Sequence, residues 1–148
     1  MQGAGKKIRV LFLCTGNSCR SQMAEGWTRR FWAGTIEAYS AGSRPAGLNA
    51  LAVEAMREAG VDISGQSSKH VDALRGERFD LVVTVCSEAG ENCPVFPGGA
   101  RAVHAGFDDP PALARDAKDH DEAMAHYRRV RDEIRDFVKR LPEIIGNG

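Results

Sequence analysis

Short, uninterrupted apolar runs alternate along this chain with segments whose apolar residues recur every three or four positions. Lys7–Leu13, rich in Ile, Val, Leu and Phe, reads as a buried strand. Met23, Trp27 and Phe31 then recur at every fourth position, which predicts a helix with one face on a sheet. Ile36–Tyr39 reads as a second short strand, stopped by Ser40-Ala41-Gly42. Ala50–Ala59, with Leu51 and Met56 and closed by Gly60, predicts a helix with a glycine C-cap. His70–Gly76 suggests a short helix, and Asp80–Val85 is a continuous apolar strand ending at Cys86. Arg101–His104 is the fourth strand candidate, and the polar, alanine-rich stretch Pro110–His120 reads as a mobile excursion. From Asp121 onward, Tyr127, Val130, Ile134, Phe137 and Leu141 fall at three- and four-residue steps, the pattern of a long amphipathic final helix.

Strands alternating with helices predict an α/β fold: a four-stranded parallel sheet flanked by helices on both faces, in one domain over residues 1–148. Such sheets bind ligands at the carboxyl ends of their strands, near the point where strand order reverses. Cys14 and Cys86 each follow a strand directly, so both are expected at the same rim.

Composition narrows the range of partners. The 148 residues carry 20 basic and 20 acidic side chains, so no broad basic field for nucleic acid or anionic lipid is implied. An anion site must then be local. Lys6-Lys7 precede an apolar segment far too brief for a signal-peptide core or a membrane span, so a cytoplasmic, soluble chain is expected. Gly3-Ala4-Gly5-Lys6 precedes the first strand rather than following it and reads as a leader, not a nucleotide loop. Four cysteines in an intracellular chain point to catalysis, redox or metal binding rather than a disulfide framework.

The chemistry concentrates in Cys14-Thr15-Gly16-Asn17-Ser18-Cys19-Arg20-Ser21, at a strand-to-helix turn. Gly16 permits a tight turn with inward N–H groups, and the following helix adds its N-terminal dipole. Arg20 supplies a planar fork for two oxygens of a tetrahedral oxyanion. That positive environment is expected to depress the Cys14 thiol and present a thiolate nucleophile at neutral pH. Thr15, Gly16, Asn17, Ser18 and Cys19 are the candidate oxyanion-binding residues with Arg20. A second constellation, Cys86 and Cys93 with Pro94, is open to three readings: coincidence, metal ligands or a redox pair. The two-residue zinc spacing is absent and His104 is the only histidine candidate nearby, so no metal is expected. The redox reading gains from Cys14 at the same rim. It requires Cα atoms within about 7 Å, and therefore a movable segment between Cys86 and Cys93. Asp109, held before Pro110 in Gly106-Phe107-Asp108-Asp109-Pro110, is a general-acid candidate.

Together these pieces resemble the thioredoxin-coupled arsenate reductases built on the low-molecular-weight tyrosine phosphatase fold. The residues that carry the resemblance run from Cys14 to Trp27, then Tyr39–Gly42, Val82–Cys86, Cys93-Pro94, Gly106–Pro110 and Arg129–Ile134. The resemblance implies Cys14 as nucleophile, Arg20 as the anion-binding arginine and Ser21 as the thiolate-stabilising serine. It also implies Asp109 as general acid and Cys86 and Cys93 as shuttle cysteines, with no essential redox role for Cys19. The implied reaction is reduction of arsenate to arsenite through a Cys14–Cys86–Cys93 disulfide relay. Reduced thioredoxin is the transient electron donor, with no bound cofactor. Residual phosphatase activity on other tetrahedral oxyanions and a monomeric state are further expectations. Some members bind potassium behind the loop. Three of the four ligand positions match as Asn17, Glu25 and Ser40, but the fourth is Lys69, whose ammonium is expected to replace the ion and pair with Glu25.

Three rivals remain. A plain low-molecular-weight phosphatase would use Cys14, Arg20 and Asp109 and leave Cys86 and Cys93 dispensable. A non-enzymatic oxyanion or redox sensor would signal through the disulfide swap. A small thiol or another redoxin could stand in for thioredoxin.

Overall fold

A computed structural model describes residues 7–86 and 100–146. Four strands form one sheet in the order β2-β1-β3-β4: β1 (Ile8–Cys14), β2 (Ile36–Gly42), β3 (Leu81–Thr84) and β4 (Arg101–His104). Every neighbouring pair is parallel. The connections are made by α1 (Arg20–Trp32), α2 (Ala50–Glu58), a 3-10 turn at Val71–Leu74 and the segment that precedes β4. After β4 come the single turn α3 (Pro110–Leu113), a 3-10 turn at Ala114–Asp116, the long α4 (His120–Lys139) and α5 (Leu141–Gly146).

Alternation along each strand divides the core in two. Val10, Phe12 and Cys14 of β1 face the same way as Ala38, Leu81 and Val83. They meet Met23, Ala24 and Trp27 of α1, Met56 of α2 and Val130 and Ile134 of α4. Leu11 and Leu13 face the other way and pack with Ala41, Val82, Leu74 and Phe79. Among the described residues the long helices therefore share one face of the sheet, and the 3-10 turn at Val71–Leu74 covers the other. All seven residues of β1 pair with β2, while its inner half also pairs with β3, so β1 is the central, most buried strand. Strand order reverses at β1, which puts the switch point at the carboxyl ends of β1 and β3.

Three expectations need adjustment. β2 does not stop at Tyr39: its small residues Ser40, Ala41 and Gly42 keep pairing with Phe12, Leu13 and Cys14. The stretch Pro110–His120 contains helical turns, with Pro110 buried. Consecutive prolines at its start preset helical φ where no donor is needed. Leu141 belongs to a separate helix, because Pro142 cannot donate a hydrogen bond back into α4. The expected strand at Arg101–His104 and the glycine C-cap at Gly60 (φ +87°) match the structure, which adds an N-cap at Asn49, whose side chain accepts from Ala52 N.

Candidate active site

β1 delivers Cys14 to the rim, and the chain turns through Thr15–Cys19 before α1 begins at Arg20. Asn17 makes the turn at φ +46°, in the left-handed region that asparagine tolerates better than most residues. The peptide carbonyls of this loop are all engaged outward. Thr15 O accepts from Arg44 N, Gly16 O from Ala46 N, Ser18 O from Asn49 N and Cys19 O from Met23 N, each at 2.9 Å. Asn17 O accepts from Gln22 Nε2 at 2.9 Å, and Ser68 Oγ reaches Gly16 O at 3.2 Å. In a trans peptide the N–H points opposite the carbonyl joined to it. The N–H groups from Gly16 to Arg20 are thereby turned away from this scaffold, the arrangement of an anion nest. Cys19, at the N-cap of α1, makes no side-chain cap bond, so no capping group competes for the first-turn donors.

The loop floors a cleft of about 670 Å³. Ser43 and Arg44 wall it from the β2 side, Asp109 and Pro111 from the β4 side. Arg20, only 3% exposed, donates from Nη1 to Phe107 O at 3.0 Å, and its Nη2 lies 3.4 Å from Asp109 Oδ1. The guanidinium and the carboxylate thus meet over the loop. The neighbouring Asp108 is anchored separately, accepting from Arg129 Nη2 at 3.0 Å.

Cys14 and Cys19 are both buried thiols. Burial pushes the Cys19 thiol up, with the Asp109 carboxylate adding to the rise and Arg20 opposing it, so Cys19 stays protonated at neutral pH. Cys86 is fully buried at the end of β3 and is disulfide-bonded. Its sulfur lies 3.8 Å from Thr15 Oγ1, and a disulfide sulfur can only accept, so the hydroxyl donates. Cys93 lies outside the described residues.

Behind the loop, Ser21 Oγ accepts from Asn17 Nδ2 at 2.8 Å, which leaves the serine hydrogen to donate elsewhere. Asn17 Oδ1 accepts from Lys69 N at 2.8 Å. The expected Lys69–Glu25 pair does not form. Glu25 is taken by Ser40 Oγ at 2.6 Å and by Arg29 at 2.6 Å, while Lys69 Nζ donates to Ser40 O at 3.0 Å and Ser67 O at 2.9 Å. Main-chain carbonyls are typical ligands of a monovalent cation, and here an ammonium already spans two of them. The residues present do not fit potassium.

Of the sequence candidates, Cys14, Thr15, Gly16, Ser18, Cys19, Arg20 and Asp109 meet at one cleft. Asn17 and Ser21 support it from behind, and Cys86 adjoins it through Thr15. Sequence reasoning passed over Ser43, Arg44, Asn49, Gln22 and Ser67. One signal was available for the first two: they directly follow a strand of the same parallel sheet, so they had to emerge at the same rim.

Comparison with known proteins agrees with this geometry. Residues 9–147 match the family model described as low molecular weight phosphotyrosine protein phosphatase. An arsenate reductase of Bacillus licheniformis is 47% identical over 137 residues, covering 93% of this chain and 96% of the relative. A solved arsenate reductase in the phosphate binding state superposes with a TM-score of 0.76 at 30% identity, covering 93% of this chain and 98% of that one. A thioredoxin-dependent arsenate reductase of Corynebacterium glutamicum matches with a TM-score of 0.65 at 27% identity, over 97% of this chain and 64% of that one.

Proposed function

The chain belongs to the low-molecular-weight phosphotyrosine protein phosphatase family, and from that premise we propose that it is an arsenate reductase that uses a thioredoxin-type dithiol as reductant. The observation that carries this reading is a disulfide-bonded sulfur beside the anion loop. Cys86 Sγ lies 3.8 Å from Thr15 Oγ1, one residue from the candidate nucleophile, and Cys86 is disulfide-bonded while Cys14 is a thiol. Hydrolysis of a phosphate ester needs no such sulfur.

The reaction is three thiol displacements. The Cys14 thiolate attacks As(V) while Arg20 and the loop N–H groups hold the oxygens, and Asp109 protonates the departing hydroxide to water. Reduced Cys86 then attacks Cys14 Sγ. The electron pair of the S–As bond passes to arsenic, which leaves as arsenite, and a Cys14–Cys86 disulfide remains. Cys93 attacks Cys86, releasing the Cys14 thiolate and leaving a Cys86–Cys93 disulfide for the external dithiol to reduce. Thr15 supports the middle step, because a hydroxyl that donates to Cys86 sulfur stabilises it as a thiolate. Lys69, donating to carbonyls behind the loop, supports operation without potassium. No helix among the described residues is long and apolar enough to cross a membrane.

The test is arsenate-dependent NADPH oxidation coupled through thioredoxin and thioredoxin reductase. Cys86→Ser and Cys93→Ser are expected to abolish multiple turnover while leaving arsenate binding intact. Full turnover by either variant sinks the relay and favours the phosphatase reading.

A further inference from the structure

Arg44 is the charged wall residue of the cleft to which the relay assigns no task. Its side chain is exposed and makes no hydrogen bond or ion pair among the described residues, yet it lines the cleft with Ser43. Its backbone is not loose. Arg44 N donates to Thr15 O, Ala46 N to Gly16 O and Asn49 N to Ser18 O, so the β2–α2 connection is zipped onto the anion loop residue by residue. The Arg44 backbone is therefore tethered at a fixed place on the rim, from which its exposed side chain lines the cleft.

The charge balance gives it a role. Arg20 lies within 3.4 Å of Asp109, so its positive charge is partly compensated before any ligand arrives. A divalent oxyanion arriving at the loop, before Asp109 has taken up the proton it later donates, meets one shared cation, a carboxylate and a nucleophilic sulfur. Arg44 is always charged and supplies the cation that restores the balance. Arg44 lines the same cleft as the loop from its β2 side. Exposed at the rim, Arg44 acts through a solvent-screened field.

We propose that Arg44 is a specificity residue of the cleft, recruiting divalent tetrahedral oxyanions and raising their affinity without entering the chemistry. This rests on the reading of the cleft as an oxyanion site, but not on arsenate being reduced there. An exposed charge of this kind contributes an effect of about fivefold, and one that salt erodes.

The experiment titrates wild type, Arg44→Ala and Arg44→Lys with inorganic phosphate by calorimetry at low and high ionic strength, alongside steady-state arsenate kinetics. Sulfate and perchlorate, a divalent and a monovalent tetrahedral anion, serve as competing inhibitors. Arg44→Ala is expected to weaken phosphate binding and raise KM by about fivefold at low salt, with kcat unchanged. It is also expected to flatten the salt dependence and narrow the preference for sulfate over perchlorate, and Arg44→Lys restores most of each. Equal phosphate affinity in wild type and Arg44→Ala at low salt overturns the proposal, as does a fall in kcat with KM unchanged. If wild type itself binds no phosphate, the oxyanion reading of the cleft falls and this proposal with it. Phosphate binding without arsenate turnover overturns the reductase reading alone.

Discussion

Gly42 is the residue on which the shape of the anion loop depends most directly, and Gly42→Ala is the sharpest test of that shape. Gly42 ends β2 opposite Cys14, and a Cβ placed there would lie 2.4 Å from Thr15 O, 2.7 Å from Cys14 O and 2.9 Å from Asn17 N. All three are backbone atoms, so no side chain can rotate aside. Weak C–H···O contacts sit at about 3.3–3.6 Å, so the loop must retreat by roughly 1 Å. A misplacement of about 1 Å in a reacting constellation lowers rate by about 10²-fold. Overpacking of this kind costs about 1–3 kcal/mol of stability. For a chain of this size that lowers Tm by about 3–9 °C. The assay is kcat/KM for arsenate with calorimetric phosphate binding and a thermal melt. Gly34→Ala is the control, since a Cβ there meets nothing within 4 Å. A Gly42→Ala protein with wild-type phosphate affinity, turnover and Tm would refute the claim that backbone contact at Gly42 sets the loop.

Other consequences follow from the same geometry. Replacing sodium with potassium should change neither turnover nor Tm, whereas Lys69→Met, which removes a charged donor from Ser40 O and Ser67 O, should cost about 1.5–3 kcal/mol in chemical denaturation. Cys19 has its folded thiol pushed up by burial. Above about pH 8.5 the unfolded chain loses that proton and the folded chain keeps it, so stability falls as pH rises. Cys19→Ala should therefore flatten the alkaline decline in Tm, and alkylation of the reduced protein at neutral pH should label Cys14 far ahead of Cys19 by peptide mass mapping. Asp109→Asn removes the proposed proton donor beside Arg20 and should lower kcat for arsenate by about 10²–10⁴-fold. Phosphate should bind at least as tightly to that variant, because a negative charge has left the cleft.

How much was legible in the chain depends on how local each feature is. Cys14, Gly16, Arg20 and the strand and helix around them occupy one short segment, so residue type and spacing alone defined a candidate oxyanion site. The parallel sheet followed from strand–helix alternation, and Cys14 and Cys86 were placed at one rim because parallel strands end on the same side. Lys69 shows the opposite case. Its charge suggested a carboxylate partner in Glu25, but Arg29, one helical turn along α1, and Ser40 had already taken that carboxylate. Only the folded chain could show that two main-chain carbonyls were the better partners within reach. Likewise, nothing in the letters Ser43-Arg44-Pro45-Ala46 says that their backbone pins the carbonyls of a loop some thirty positions earlier. Main-chain hydrogen bonds are blind to side-chain identity, so they leave almost no trace in sequence. The chain by itself determined where the candidate nucleophile and its arginine lie and which elements hold them, because those rest on local chemistry. The tertiary structure decided which way the loop carbonyls point, where Arg44 stands and what Lys69 binds, because those rest on backbone contacts between distant segments.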